Sequence, residues 1–274
     1  MKHRWVRLPE GTRIDAANPD AWQFPVGTRF WKELGFERRV ETRYIERLAD
    51  GSWAYASYVW NAEGTDAERA PERGLRGAYP LRAGASHDVP SVGDCKACHE
   101  GRPGRVLGFN ALQLSADVDP GAPHREQAPD GALNLPELEA RGLLENVPAE
   151  LSAGQPRIVA RTATERAALG YLFGNCSNCH NARGPLAELG LDFDVSVRAG
   201  EPIPTLTTSV GKRSRYVAPG AARSLRIAPG QPEDSTLALR MKSRTAAVQM
   251  PPLGTRVADG EAIALIERWI SEDL

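Results

Sequence analysis

The sequence predicts an α+β chain, with a β-rich N-terminal domain followed by an all-α C-terminal domain. Three observations carry this expectation: β-branched and aromatic residues alternate on either side of Asp50-Gly51, a Pro/Gly-rich stretch begins near residue 116, and helical periodicity sets in after residue 160. The 274 residues accommodate two domains, each large enough to bury a core. Their expected extents are residues 1–150 and 151–274.

In the first domain, residues 26–32 read as a strand. Residues 39–48 follow, with Val40, Thr42 and Tyr44 in alternation; the chain turns at Ala49-Asp50-Gly51 and returns over 52–60. An Asp-Gly between two β-rich runs is a strong hairpin signal, because its residues tolerate the positive φ that a tight turn demands. Residues 76–81 supply a fourth strand. The middle of the chain, 116–156, holds Asp119-Pro120-Gly121-Ala122-Pro123 and Pro129-Asp130-Gly131, with one short helical candidate at 136–144. Such punctuation suits a connection between domains.

In the second domain, Thr162-Ala163-Thr164-Glu165 has the spacing of a capping box, opening a helix that carries Ala168, Leu169, Leu172 and Phe173. Pro232 opens a second helix with Leu237, Leu239 and Met241. Asp259 caps a third, in which Ile263, Ile266 and Ile270 recur at helical spacing. Apolar residues at 41% and charged residues at 25% are the proportions of an ordinary globular chain, and no apolar run approaches a membrane span. A net charge of −1 gives no argument for nucleic acid or an anionic membrane as partner.

All four cysteines lie in two copies of one word, Cys95-Lys96-Ala97-Cys98-His99 and Cys176-Ser177-Asn178-Cys179-His180. Two thiols one helical turn apart can each add to a haem vinyl group, and the following imidazole reaches the iron as proximal ligand. The chain is therefore expected to carry two covalently attached haem c groups. Paired zinc knuckles usually stand some 15–20 residues apart and need no histidine after each pair, whereas these words start at residues 95 and 176. Covalent haem attachment takes place outside the cytoplasm, which implies a periplasm or an equivalent space. The opening Met1-Lys2-His3-Arg4-Trp5 carries no apolar leader segment, so the leader is expected to have been trimmed or to lie upstream of this start.

For the second iron the candidate sixth ligand is Met250, in Gln249-Met250-Pro251-Pro252: two prolines stiffen the chain and hold the thioether at fixed reach. Met241, on the apolar stripe of its helix, reads as core. A His180/Met250 pair raises the potential and leaves no open position, which suits electron transfer. For the first iron, His87 is the best placed of His3, His87 and His124. A five-coordinate first haem, with Lys32, Tyr55 or Phe30 lining its distal side, is the other reading. Trp53, Tyr55, Tyr58 and Trp60 fall on both faces of one strand, so one face is expected to pack a core and the other a haem or a helix; core packing throughout competes with this. Arg198, Lys212, Arg213, Arg215, Arg223 and Arg226 form a basic stretch, read as a partner-steering collar or as a solvated loop.

The residues Asn175 to His180, Pro229-Gly230-Gln231-Pro232, Ser235, Met250-Pro251-Pro252-Leu253-Gly254 and Ile266-Glu267-Arg268-Trp269-Ile270 resemble the class I cytochrome c domains of bacterial multihaem proteins. That resemblance implies an all-α cytochrome c-like domain, assigns the methionine ligand to Met250 and implies an insertion between residues 190 and 225. Phe24-Pro25-Val26-Gly27-Thr28, Lys32, Val40-Glu41-Thr42-Arg43, Tyr58-Val59-Trp60-Asn61, Thr65-Asp66-Ala67 and Pro90-Ser91 resemble a family of bacterial dihaem c-type cytochromes, mostly conserved hypothetical haem proteins, which has no settled reaction. The order of strands followed by a haem word is also similar to the cytochromes c′-β, which bind small gases. Together these imply a periplasmic dihaem carrier of single electrons between redox partner proteins. The competing expectations are a peroxidase-like or gas-sensing protein with an open distal site at the first haem, and the electron-accepting module of a dehydrogenase.

Overall fold

The computed structural model describes residues 1–81, 84–124, 129–198, 200–219 and 224–274, with the backbone alone at 152 and 153. The chain divides into two compact units, Met1–Cys98 with Ala128–Ser152, and His99–Gln127 with Ala153–Leu274.

The first unit is built on a five-stranded antiparallel sheet of β1 (Lys2–Arg7), β3 (Arg29–Gly35), β4 (Arg39–Arg47), β5 (Trp53–Trp60) and β6 (Ala67–Arg69), in that spatial order. The anticipated hairpin is β4–β5. Asp50 Oδ1 accepts from the Ser52 amide at 2.9 Å and its hydroxyl at 2.6 Å, and Gly51 takes φ 81°. β3 starts three residues later than the alternation suggests, because residues 25–28 close a turn in which the Thr28 hydroxyl donates to the Pro25 carbonyl at 2.7 Å. β1 has only Trp5 and Val6 as apolar residues, and it forms an edge whose lysine and arginines discourage pairing with another chain. β7 (Leu75–Pro80) and β8 (Ser86–Val89) form a separate hairpin, and β2 (Ile14–Asp15) runs parallel to β9 (Leu144–Glu145). α1 (Val92–His99) follows; Ser91 and Asp94 cap it reciprocally, Ser91 N to Asp94 Oδ2 at 2.9 Å and Asp94 N to Ser91 Oγ at 3.0 Å. The short middle helix is α2 (Leu135–Ala140), with a capping box between Asn134 and Glu137. α3 is Ala149–Ala153, at the end of the second segment, and its last residue falls in the second unit.

Register sorts the sheet's side chains. One face carries Phe30, Lys32 and Leu34 of β3, Glu41, Arg43 and Ile45 of β4, and Trp53, Tyr55, Ser57 and Val59 of β5. Its aromatic end packs Phe24 edge-on against Phe30, centroids 4.9 Å apart, with Trp53 6.3 Å from Phe30. Tyr58 and Trp60 occupy the other face, where the Trp60 indole donates to Thr42 Oγ1 at 2.9 Å.

In the second unit, α4 (Ala163–Asn175) packs against α7 (Gly260–Glu272). Leu169, Leu172, Ile266, Trp269 and Ile270 lose all contact with solvent there. Each contributes about 1.5–3 kcal/mol of apolar burial. The Thr162 hydroxyl caps α4 by accepting from Glu165 N at 2.9 Å, and Asp259 caps α7 by accepting from Ala262 N at 3.1 Å. The capping box at 162–165 is only half made, because the Glu165 carboxylate turns to Arg161 instead of the Thr162 amide.

The expectation of an all-α cytochrome c-like second domain is wrong. Among the described residues the N-terminal part is mostly β-sheet, and helix makes up only 24% of the structure. Between α4 and α6 (Thr236–Lys242) lie only α5 (Pro204–Ser209), two 3₁₀ turns and isolated bridges, Val210 to Ile227, Arg213 to Leu225 and Leu225 to Ser235, among the described residues. The physical reason is that residues 182–235 are rich in Gly, Pro, Ser and Arg without helical period, so backbone groups find partners other than a helical ladder. Arg226 shows this: its guanidinium donates to the carbonyls of Gly190 at 2.6 Å and Thr208 at 2.7 Å, and also to that of Leu189. No helix among the described residues is long and apolar enough to cross a membrane.

Candidate functional site

Cys176 stands at the C-terminal cap of α4. Its amide donates to the Leu172 carbonyl at 2.8 Å, and the His180 amide donates to the Cys176 carbonyl at 3.0 Å, so the second word is one further turn wound onto a buried helix. The turn presents Cys176, Cys179 and His180 to a cavity of about 230 Å³ whose other walls include Leu191, Phe193, Ile227, Leu237 and Met250. Met250 is held there by its own amide, which donates to the Arg240 carbonyl at 2.9 Å; the Arg240 Nε in turn donates to the Val248 carbonyl at 2.8 Å. Met241, buried in the core as anticipated, also reaches this wall.

Burial, with the cationic Arg240 and Arg226 nearby, lowers the His180 pKa and favours the neutral imidazole that a metal ligand must be. Its Nδ1 is buried with no hydrogen-bond partner among the described residues, and the ring meets Phe193 edge-on at 5.8 Å. Burial pushes the Cys176 thiol up to about 12, so it is a protonated thiol at neutral pH. The lining is mostly apolar but also includes Arg215, Arg226 and Arg240; its two thiols, imidazole and thioether fit a haem bound through thioethers, with nitrogen and soft sulfur as axial donors.

The first word lies on α1, with Cys95 and Cys98 one turn apart. His99 Nδ1 lies 2.8 Å from the Arg105 carbonyl oxygen. An acceptor at Nδ1 requires the proton on that nitrogen, so Nε2 is the ring nitrogen that could ligate a metal, as in the usual outer-shell arrangement of ligating histidines. Beyond it, Gly101 and Arg102 pack on the second word: Asn181 Nδ2 donates to the Gly101 carbonyl at 3.0 Å, and Arg102 reaches Ser177 Oγ at 3.1 Å and Asp194 Oδ1 at 2.5 Å. A Cβ at Gly101 would stand 2.2 Å from the Asn178 carbonyl oxygen. The segment after His99 is thus fitted closely to residues 177–181, a relation that only a glycine two positions after the first word hints at in the sequence.

The structure gives His87 a partner. Its Nε2 is 2.8 Å from Glu41 Oε2, and Glu41, with no exposed surface, also accepts from Arg43 Nε at 2.9 Å and Ser57 Oγ at 2.9 Å. Burial pushes the Glu41 pKa up, but the bonds from His87, Arg43 and Ser57 outweigh it and hold the carboxyl below its ordinary value. Coordination of iron through His87 Nε2 would have to displace this carboxylate. Ser57, which bonds to Glu41, lines a small pocket with Cys95, and after burial the charges of Arg43 and Glu41 act most strongly on the Cys95 thiol, so this cluster borders the first word. Phe30 and Tyr55, considered as distal lining, are buried core residues of the sheet face, while Lys32 sits half-buried at the polar end. Glu41 carried no signal of its own in the sequence.

The other candidates resolve into local roles. His124 Nε2 pairs with Asp259 at 2.7 Å, and His3 lies 3.5 Å from Glu33. Arg226 and Arg215 of the basic stretch are spent on internal carbonyls, and Arg223 lies outside the described residues. Among the described residues no group of three or more His, Cys, Asp or Glu side chains gathers as a metal site, the geometry that a zinc knuckle pair requires. Comparison of the chain with protein-family models, with curated proteins and with solved structures returned no match.

Proposed function

We propose that the chain is a dihaem c-type cytochrome that carries single electrons between redox partner proteins in a periplasmic compartment. Cys95 and Cys98 attach one haem with His99 as proximal ligand; Cys176 and Cys179 attach the other, with His180 and Met250 as its axial pair. The observation that carries the proposal is the convergence of Cys176, Cys179, His180 and Met250 on one apolar cavity, although Met250 is far from the others in sequence. When bound, haem supplies the one-electron iron couple. The residues of this chain do the rest: the thiols anchor, burial keeps His180 neutral, Leu191 and Phe193 exclude water, and Met250 offers a soft donor that favours the reduced state and so a high potential.

A second reading draws on His87. With its Nε2 bonded to buried Glu41, the first iron lacks that ligand and has an open distal side, the arrangement of a gas sensor or a peroxidase-like enzyme. Absorption spectra of the reduced protein with and without carbon monoxide separate the two. Indifference at both haems supports the pure carrier, and a shift in about half of the haem absorbance refutes it in favour of the open site.

A further inference from the structure

On the inner sheet face, register places Arg4, Lys32, Arg43 and Ser57 in one transverse row across β1, β3, β4 and β5. Directly opposed side chains on adjacent strands stand about 4.5–5.5 Å apart at Cβ, and like charges so placed repel. Three cations in succession are therefore unfavourable unless something neutralises them. The next row on one side is apolar, with Val6, Phe30, Ile45 and Tyr55. On the other side it offers Lys2, Leu34, Glu41 and Val59, and Glu68 at the exposed far edge. Among the described residues of these rows, Glu41 is the carboxylate next to the cations on the central strands, and its oxygens are taken up by Arg43, Ser57 and His87. The side chains of Lys32 and Arg4 form no hydrogen bond or ion pair among the described residues.

We infer that the Arg4–Lys32–Arg43 row is a seat for an oxyanion or carboxylate, bound by the Lys32 ammonium, the exposed Arg4 guanidinium and the Arg43 N–H groups that Glu41 does not occupy. In support, burial and then the positive charges of Arg43, Arg4 and Lys2 bring the Lys32 pKa down to about 8, as expected of an ammonium waiting for a counter-ion. The anion has two possible sources. One is a propionate of the haem attached beside the row at Cys95, which rests on the proposed function; the other is a free oxyanion, which does not.

The test follows acetylation of Lys32 against pH in the mature protein, read by peptide mass spectrometry, in buffer without phosphate and then with inorganic phosphate. It is paired with the propionate bands of the resonance Raman spectrum in Lys32→Gln and in a Lys242→Gln control. For a free oxyanion, phosphate raises the Lys32 pKa by at least one unit and slows its acetylation at pH 8 about fivefold. For a propionate, phosphate does nothing and the propionate bands move in Lys32→Gln but not in the control. If phosphate leaves Lys32 unchanged and the bands do not move, there is no seat. A polypeptide without haem whose Lys32 still responds to phosphate would retain the seat and refute the haem reading alone.

Discussion

Replacing Gly101 by alanine probes the closest approach in the second unit. The added Cβ would lie 2.2 Å from the Asn178 carbonyl oxygen, and that obstacle is backbone, which cannot rotate aside as a side chain does. Overpacking of this kind costs about 1–3 kcal/mol, and a rigid obstacle puts it near the upper end. The forced shift also breaks the bond from Asn181 Nδ2 to the Gly101 carbonyl, worth about 1 kcal/mol. A total of about 4 kcal/mol lowers the melting temperature by roughly 10 °C in a domain of this size. Calorimetry or circular dichroism measures it, with Gly93→Ala as control, since a Cβ there meets only the Ser91 hydroxyl at 3.6 Å. If Gly101→Ala melts within about 2 °C of the parent protein, residues 99–102 are not seated on the second word as described.

Glu41→Gln leaves Arg43 and His87 facing a neutral amide in a buried site and costs about 3–5 kcal/mol at pH 7. Because the carboxyl is held below its ordinary value, its stabilisation is fully present above about pH 4.5 and is lost as pH falls through the folded-state pKa. Denaturant titrations should therefore show the gap between parent and variant narrowing in acid, and a gap unchanged from pH 7 to 3 contradicts the cluster. Leu172→Ala empties a fully buried position between α4 and α7 and is expected to cost about 2–5 kcal/mol in the same assay; a loss below about 1 kcal/mol would mean that the core lies elsewhere. Met250→Ala should change the axial-ligand bands of one haem and admit carbon monoxide to it, and an unchanged ligation spectrum removes Met250 from the pair.

The parts of the fold legible in the sequence were those whose signal is local. Asp50-Gly51 specifies its hairpin through φ, and Thr162 and Asp259 specify helix starts through side-chain acceptors. Strand β1 was not legible because its pairing, not its polar sequence, makes it a strand. The stretch between α4 and α6 defeated the all-α expectation for a related reason: the order there comes from Arg226 bonding to carbonyls at Gly190 and Thr208, distant in sequence and invisible to any periodicity. At the site, the two cysteine words stand out by residue type and spacing, and Met250, expected from its two prolines, lies on the cavity that Cys176, Cys179 and His180 line. Glu41 and Gly101 were not, since one acts through three partners brought by separate strands and the other through a single close approach.

Thioether-linked haem at both cysteine pairs is the premise of the proposed electron carrier. Its most direct test is the intact mass of the full chain matured in a host that has the haem-attachment machinery. The expected mass is that of the polypeptide plus two haems, falling by one haem when Cys176 and Cys179 are both changed to serine. A mass equal to that of the amino acids alone contradicts it.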